Sequence, residues 1–153
     1  MGVHFLIRES TTGDLAAIVA IEAAVFPDPW VIESFRGFQR TGQTLVAVHE
    51  DEIVGFVIAR AMLDEGEILN IAVTSRWRGQ GAGATLLDSA LHRLRGLGAN
   101  NVYLEVRASS TVAQHFYERH GFRRVGKRSQ YYRNPVEDAL VFFRGIHATS
   151  ASA

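Results

Sequence analysis

The chain has no cysteine. That excludes disulfides, thiolate zinc sites and any cysteine acyl-enzyme intermediate, and it is compatible with a reducing compartment. Lysine is almost as scarce, Lys127 being the only one among 16 Lys+Arg residues. Coding bias is the plain explanation, and protection of the protein's own surface from acylation is the sharper one. Charge of one sign is also lacking: 16 basic residues balance 16 acidic ones, for a formal net charge of +0. No global field draws the molecule to nucleic acid or an anionic membrane. No apolar run approaches the ~18 residues of a spanning helix, and the apolar core of residues 1–10 is too short for a signal peptide. A soluble cytoplasmic protein is the expectation. Only three prolines occur, two of them at Pro27 and Pro29, and no interior linker or internal repeat is visible.

What is present suits one domain. With 153 residues, the chain is long enough for one good core, expected over residues 1–146 with a frayed tail at 147–153. Residues 3–8 read as a strand. Thr11 with Asp14 three positions on is a helix-start signal, and Leu15, Ile18, Ile21 and Val25 recur at helical spacing. The two prolines break that helix. A second helix is expected from Trp30 to about Arg40, stopped by Gly42. Residues 44–49 and 53–62 read as an antiparallel hairpin, and residues 67–73 as a strand buried on both faces.

A glycine-rich loop follows, then an amphipathic helix ended by Gly98. Next come a strand over 101–107, a helix over 111–120 stopped by Gly121, and closing strands near 122–129 and 139–144. A loop with Tyr131, Tyr132 and Pro135 joins the last two. The order β-α-α-β-β-β-α-β-α-β-β describes an α/β chain with a mixed sheet covered by helices.

The chemistry concentrates in Arg78-Gly79-Gln80-Gly81-Ala82-Gly83-Ala84. Alternate glycines let backbone approach a ligand closely, and the free N–H groups of a helix start favour an anion. Arg78 would add a charge-assisted contact. A nucleotide P-loop needs Gly-Lys-Ser/Thr, which is missing. Gly79 to Ala84 does fit a dinucleotide fingerprint, but five residues separate it from its strand and hairpins precede it. A turn without a ligand is the remaining alternative.

These features resemble the GCN5-related N-acetyltransferase (GNAT) superfamily, whose pyrophosphate loop, Arg/Gln-x-x-Gly-x-Gly/Ala, is matched by Arg78, Gly81 and Gly83. More narrowly, the chain is similar to RimI-type enzymes, which acetylate the N-terminal alanine of a small-subunit ribosomal protein. That similarity runs through Phe26-Pro-Asp-Pro-Trp30, Leu69-Asn-Ile-Ala-Val73, Leu104-Glu-Val-Arg107, Phe116-Tyr-Glu, Gly121-Phe122, Tyr131-Tyr132 and Glu137-Asp-Ala139.

The resemblance implies a central, mostly antiparallel sheet and acetyl-CoA as donor. It implies a strand at Ile71, Ala72 and Val73 that splays from its neighbour at 101–107 to admit pantetheine. Pyrophosphate would then rest on Arg78, Gly79, Gln80, Gly81, Ala82, Gly83 and Ala84. Ser110 stands where related enzymes carry a cofactor-contacting asparagine; serine can cap the following helix but reaches less far.

Strand alternation sets Glu105 with Tyr103 and Arg107, opposite Val102, Leu104 and Val106. A carboxylate there is costly to bury unless paired or functional. An ion pair with Arg107 is one reading, and the general base implied by the resemblance is the other. Tyr117 shares a helical face with Ala113, Phe116 and His120, and is either a buried tyrosine or the acid that protonates the leaving thiolate. Tyr131 and Tyr132 would cover the acceptor, with Phe26, Pro27 and Trp30 as the opposite wall.

No metal site is expected, since His115 and His120 are five apart and lack a third ligand. Trp77 with the tyrosine pair could stack bases, but zero net charge and the lack of a basic stripe argue against it. The acceptor expected is a protein N-terminus, possibly of a ribosomal protein. An acetyltransferase for lysine or a small amine and a non-catalytic acyl-CoA sensor are the rivals.

Overall fold

The computed structural model describes residues 2–41 and 43–147. The expected stop at Gly42 and the tail beyond His147 lie outside them. Seven strands, β1 (Leu6–Glu9), β2 (Gln43–His49), β3 (Glu52–Met62), β4 (Glu65–Val73), β5 (Asn101–Arg107), β6 (Arg123–Tyr132) and β7 (Glu137–Gly145), form one sheet in the order β1-β2-β3-β4-β5-β7-β6. Among the described residues four α-helices cover it: α1 (Leu15–Val25), α2 (Ile32–Thr41), α3 (Ala82–Gly96) and α4 (Thr111–Arg119). Every pairing is antiparallel except β4 with β5. A parallel pair needs a long crossover, and α3 supplies it.

Both faces of the central strands are buried, which is why they read as near-continuous apolar runs. Leu45, Val57 and Ala59 face the α3 side, against Leu86, Leu87 and Leu94. Their neighbours Val46, Phe56 and Ile58 face Ile18, Ile21 and Phe35 of α1 and α2. No helix among the described residues is long and apolar enough to cross a membrane.

The helix-start signal forms as expected. The Asp14 carboxylate accepts the Thr11 N–H at 2.7 Å. It also takes two bonds from Arg8, at 2.7 and 3.0 Å, which tie β1 to the entry of α1. Those Arg8 bonds, ahead of the opposing effect of burial, lower the Asp14 pKa. A depressed carboxylate stabilises the fold above its unfolded pKa and loses that contribution as pH falls through its folded pKa. We predict that Asp14→Asn lowers stability at pH 7 by about 1.5 kcal/mol, the low end for a charged hydrogen bond because Arg8 is partly exposed. Urea unfolding at pH 7 and pH 3 checks this: the gap between wild type and variant should shrink at the lower pH, and an equal gap at both would refute it.

Three expectations for the strands need correction. β4 is not buried on both faces throughout, since three consecutive residues, 69–71, are only half-buried. β6 runs on to Tyr132, so Tyr131 and Tyr132 end a strand and do not lie in the loop. The reason is cross-strand pairing: Tyr132 is in register with Glu137 after a bulge that local sequence does not announce. β6 also gathers Arg123, Arg124, Lys127 and Arg128 on one edge strand, a basic stripe hidden by the neutral net charge. Such charges on an edge discourage strand addition.

The decisive irregularity is in β4. Ile58 pairs with Asn70 and Ala59 with Ile68, leaving Leu69 as an extra residue. Ile68 faces the α3 side, whereas Leu69 faces α1 and α2. After the bulge Ile71 returns to the α3 side and Ala72 to the other. β4 pairs with β5 only as far as Ile68 with Leu104. Residues 69–73 of β4 and 105–107 of β5 therefore diverge, and the sheet opens between them.

Candidate active site

Because β4 and β5 are parallel, their carboxyl ends reach the same edge of the opening, and each is followed by a helix. Ligands bind at this edge of parallel strands because loops and helix N-termini converge there. After β4 come a short turn, Ser75–Trp77, and then the glycines. Gly79 and Gly81 have φ of +75° and +96°. A Cβ at either would meet open space, so backbone conformation, not crowding, calls for glycine there. Gly83 differs: its missing Cβ faces the Phe116 ring of α4, 3.5 Å away.

The Gly81 carbonyl accepts the Thr85 N–H at 3.0 Å and the Thr85 hydroxyl at 2.8 Å. The N–H groups of Ala82, Gly83 and Ala84 precede that first helical bond and are left for a ligand. This donor set suits a pyrophosphate, and the edge of residues 71–73 that has parted from β5, while still paired with β3 on its other side, suits an extended amide chain lying in the opening. Coenzyme A has both parts. Arg78 reaches back from the turn, its Nε donating to the Val73 carbonyl at 3.3 Å. Ser110 starts α4, yet its side chain makes no capping bond; its carbonyl accepts the Gln114 N–H at 3.1 Å. The expected hydroxyl cap does not form; separately, the Gln114 side chain donates to the carbonyls of Arg107 and Ala108 and ties α4 to the end of β5.

The alternation expected of β5 holds: Val102, Leu104 and Val106 are buried on the α3 side. Glu105 points to the other face, where it pairs with Arg128 of β6. It does not pair with Arg107, which instead bonds Glu137 at 3.1 Å and stacks 4.4 Å from the centre of the Tyr132 ring. Tyr131 and Tyr132 complete this face. Burial first, then the charge of Glu105, pushes the Tyr132 phenol up to about 12. The same two causes, in the same order, raise Tyr131.

Tyr117 comes from α4 on the α3 side of the sheet and is buried against Phe116 and Phe122. Burial, then the neighbouring Tyr132, pushes its phenol well above the ordinary tyrosine range. Glu105 and Tyr117 therefore lie on opposite faces of the sheet, and Glu105 stands one residue beyond the last β4–β5 pair.

Phe26 and Trp30 lie in the α1–α2 connection, where Trp30 packs on Phe35 and Phe38 at 5.5 and 5.4 Å. Pro27 is exposed. No aromatic contact joins this group to Tyr131 and Tyr132 among the described residues, so the two walls stand apart. Trp77 packs against Phe5 and His49. Among the described residues no cluster suited to a metal ion occurs.

Sequence reasoning missed two participants. Arg128 carries no local signal, since only the β6–β7–β5 order brings it to Glu105. Glu22 did leave one, a lone carboxylate within Leu-Ala-Ala-Ile-Val-Ala-Ile-Glu-Ala-Ala-Val.

Residues 15–122 match the family described as the acetyltransferase (GNAT) family. The ribosomal protein bS18-alanine N-acetyltransferase of Salmonella typhimurium is 34% identical over 134 residues, covering 86% of this chain and 90% of that protein. The crystal structure of the ribosomal-protein-S18-alanine N-acetyltransferase from Escherichia coli superposes with a TM-score of 0.87 at 29% identity, over 98% of this chain and 99% of that one. Arabidopsis thaliana NAA60 in complex with acetyl-CoA shares the fold, with a TM-score of 0.86 at 22% identity over 94% and 99% of the two chains.

Proposed function

The chain belongs to the acetyltransferase (GNAT) family and is an acetyl-CoA-dependent N-acetyltransferase; from that premise we propose that its acceptor is a protein N-terminal α-amine, with the N-terminal alanine of a ribosomal protein as the leading substrate. The reading rests on a carboxylate, Glu105, one residue beyond the last β4–β5 pair, and on a phenol, Tyr117, on the opposite face of the sheet. The named activity of the relatives points the same way.

Acetyl-CoA supplies an activated acyl thioester. The α-amine must be neutral to attack it. An α-amine has an ordinary pKa of ~7.7–8.0 against ~10.4 for lysine, so a single carboxylate suffices to take its proton. In our reading Glu105 receives that proton as the N–C bond forms, and Tyr117 gives its own to the sulfur as the C–S bond breaks. A phenol is protonated at neutral pH, the state a donor requires.

Backbone groups of Ile71, Ala72 and Val73 would hold the pantetheine. The turn from Arg78 through Gly79, Gln80, Gly81, Ala82, Gly83 and Ala84 would hold the pyrophosphate, with Ser110 at the neighbouring helix start. Phe26, Pro27 and Trp30 on one side, and Tyr131 and Tyr132 on the other, would receive the first residues of the acceptor.

A library of peptides varied at the first two positions, run beside lysine side-chain peptides and free amines, tests this. We expect acetylation of the α-amine with alanine first, and lysine peptides blocked at their N-terminus to be at least ~10²-fold poorer by kcat/KM, since the deprotonation penalty alone spans more than two pK units. Equal use of both amines would sink the proposal.

A further inference from the structure

The steps above make no use of Glu22, a carboxylate only 1% exposed. No cation pairs with it among the described residues, and burial raises its pKa. A buried carboxyl in such a place is costly unless hydrogen bonds compensate. Its Oε2 accepts the Trp30 N–H at 3.0 Å, and its Oε1 accepts Asn70 Nδ2 at 2.6 Å. The Asn70 Oδ1 in turn accepts the Ile71 N–H at 3.1 Å. The bulge at Leu69 makes this possible by turning Asn70 toward α1.

At its near end the connection leaves α1 through the helix's last backbone bond, the Phe26 N–H donating to the Glu22 carbonyl at 3.0 Å, so that the Glu22 side chain secures the far end. One residue thus brackets residues 26–30, which have no strand or helix ladder of their own. β4, by contrast, is held by an eight-pair register with β3 and keeps its place without any one side chain. The arrangement demands a carboxyl and not an amide. Asn70 has committed its oxygen to Ile71, so Glu22 meets two donors and must offer two acceptors.

We propose that Glu22 is a positioning residue for the acceptor: by clamping Trp30 to Asn70 it sets the wall formed by residues 26–30 against the β4–β5 opening. This rests on reading that wall as the acceptor side. Capture of the acceptor, and not of acetyl-CoA, then depends on Glu22.

The test is steady-state kinetics of Glu22→Gln with whichever amine the wild type acetylates. The expected result is a ~10-fold higher KM for the acceptor, the size of one charge-assisted hydrogen bond, with KM for acetyl-CoA within about twofold. An unchanged acceptor KM, or equal rises in both, overturns the proposal. Asn70→Ala removes the other arm from the strand side and should move the acceptor KM in the same direction. If the Gln variant does not fold, the acceptor KM of this variant decides, an unchanged value overturning the proposal; its acetyl-CoA KM is left out of the criterion because Asn70 also holds the Ile71 N–H.

Because the chain has two tryptophans, Trp77→Phe leaves Trp30 as sole reporter. Acrylamide quenching of Trp30 should then increase about twofold in Glu22→Gln, on the premise that a released connection samples more open states. Unchanged quenching argues against the clamp. If the wild type uses lysine or a small amine, the α-amine reading fails, while the KM split with that amine and the Trp30 signal still decide the role of Glu22.

Discussion

Glu105→Gln is expected to lower turnover by ~10²–10⁴-fold, the range for loss of a general base, with acetyl-CoA affinity near that of the wild type. The prediction separates chemistry from binding. Glutamine matches glutamate in shape, and β5 is held by seven registered pairs with β7, so the opening keeps its form. What disappears is the proton acceptor on the Arg128 and tyrosine face. Arg128 loses its partner but is largely exposed, and the cost of a solvated, unpaired guanidinium is small. Thiol release measures turnover, and calorimetric titration measures the affinity. Undiminished turnover would remove Glu105 from the role. Loss of affinity in parallel with turnover would make it a structural residue of the opening.

The second large effect is expected at Tyr117. Replacing it with phenylalanine deletes one oxygen and retains the ring that packs on Phe116 and Phe122, at 5.2 and 5.8 Å. Stability should change little, whereas kcat should fall by ~10²-fold, the low end for losing a positioned acid. Acetyl-CoA binding should again be preserved. The control is Tyr132→Phe, because Tyr132 lies close enough to Tyr117 to raise its pKa and also responds to Glu105. As an acceptor-contacting residue, Tyr132 should show its loss mainly in the acceptor KM. If Tyr132→Phe costs more turnover than Tyr117→Phe, the acid is Tyr132.

Much of this was legible before any coordinates, for identifiable reasons. The helical repeat at Leu15, Ile18 and Ile21, the Thr11–Asp14 start signal and the positive-φ glycines are local matters, decided within a few bonds of the residue concerned. The bounds of β5 coincide with expectation, 101–107, because strict alternation over seven residues leaves little freedom of register. The glycine turn is legible as a turn at a helix start because its requirement, positive φ at Gly79 and Gly81, is itself local.

Errors arose where a residue's partner is distant in sequence. Spacing alone leaves open an ion pair between Glu105 and Arg107, two positions away; the fold gives Glu105 Arg128 instead, delivered by an edge strand that reaches β5 only through β7. β6 was ended too early because Tyr132 is held in the sheet by Glu137 across a bulge. Glu22 was passed over because its value depends on Asn70, 48 residues on.

By itself, then, the sequence determined the order of elements, the turn suited to pyrophosphate, and the face of β5 on which its carboxylate stands, all consequences of backbone periodicity and dihedral preference. The tertiary structure alone decided that β4 carries a bulge and parts from β5 after Ile68, that Glu105 meets Arg128 and two tyrosines, and that Glu22 clamps the connection between α1 and α2. Those features depend on register and on contacts between segments far apart in the chain, which local preference does not encode.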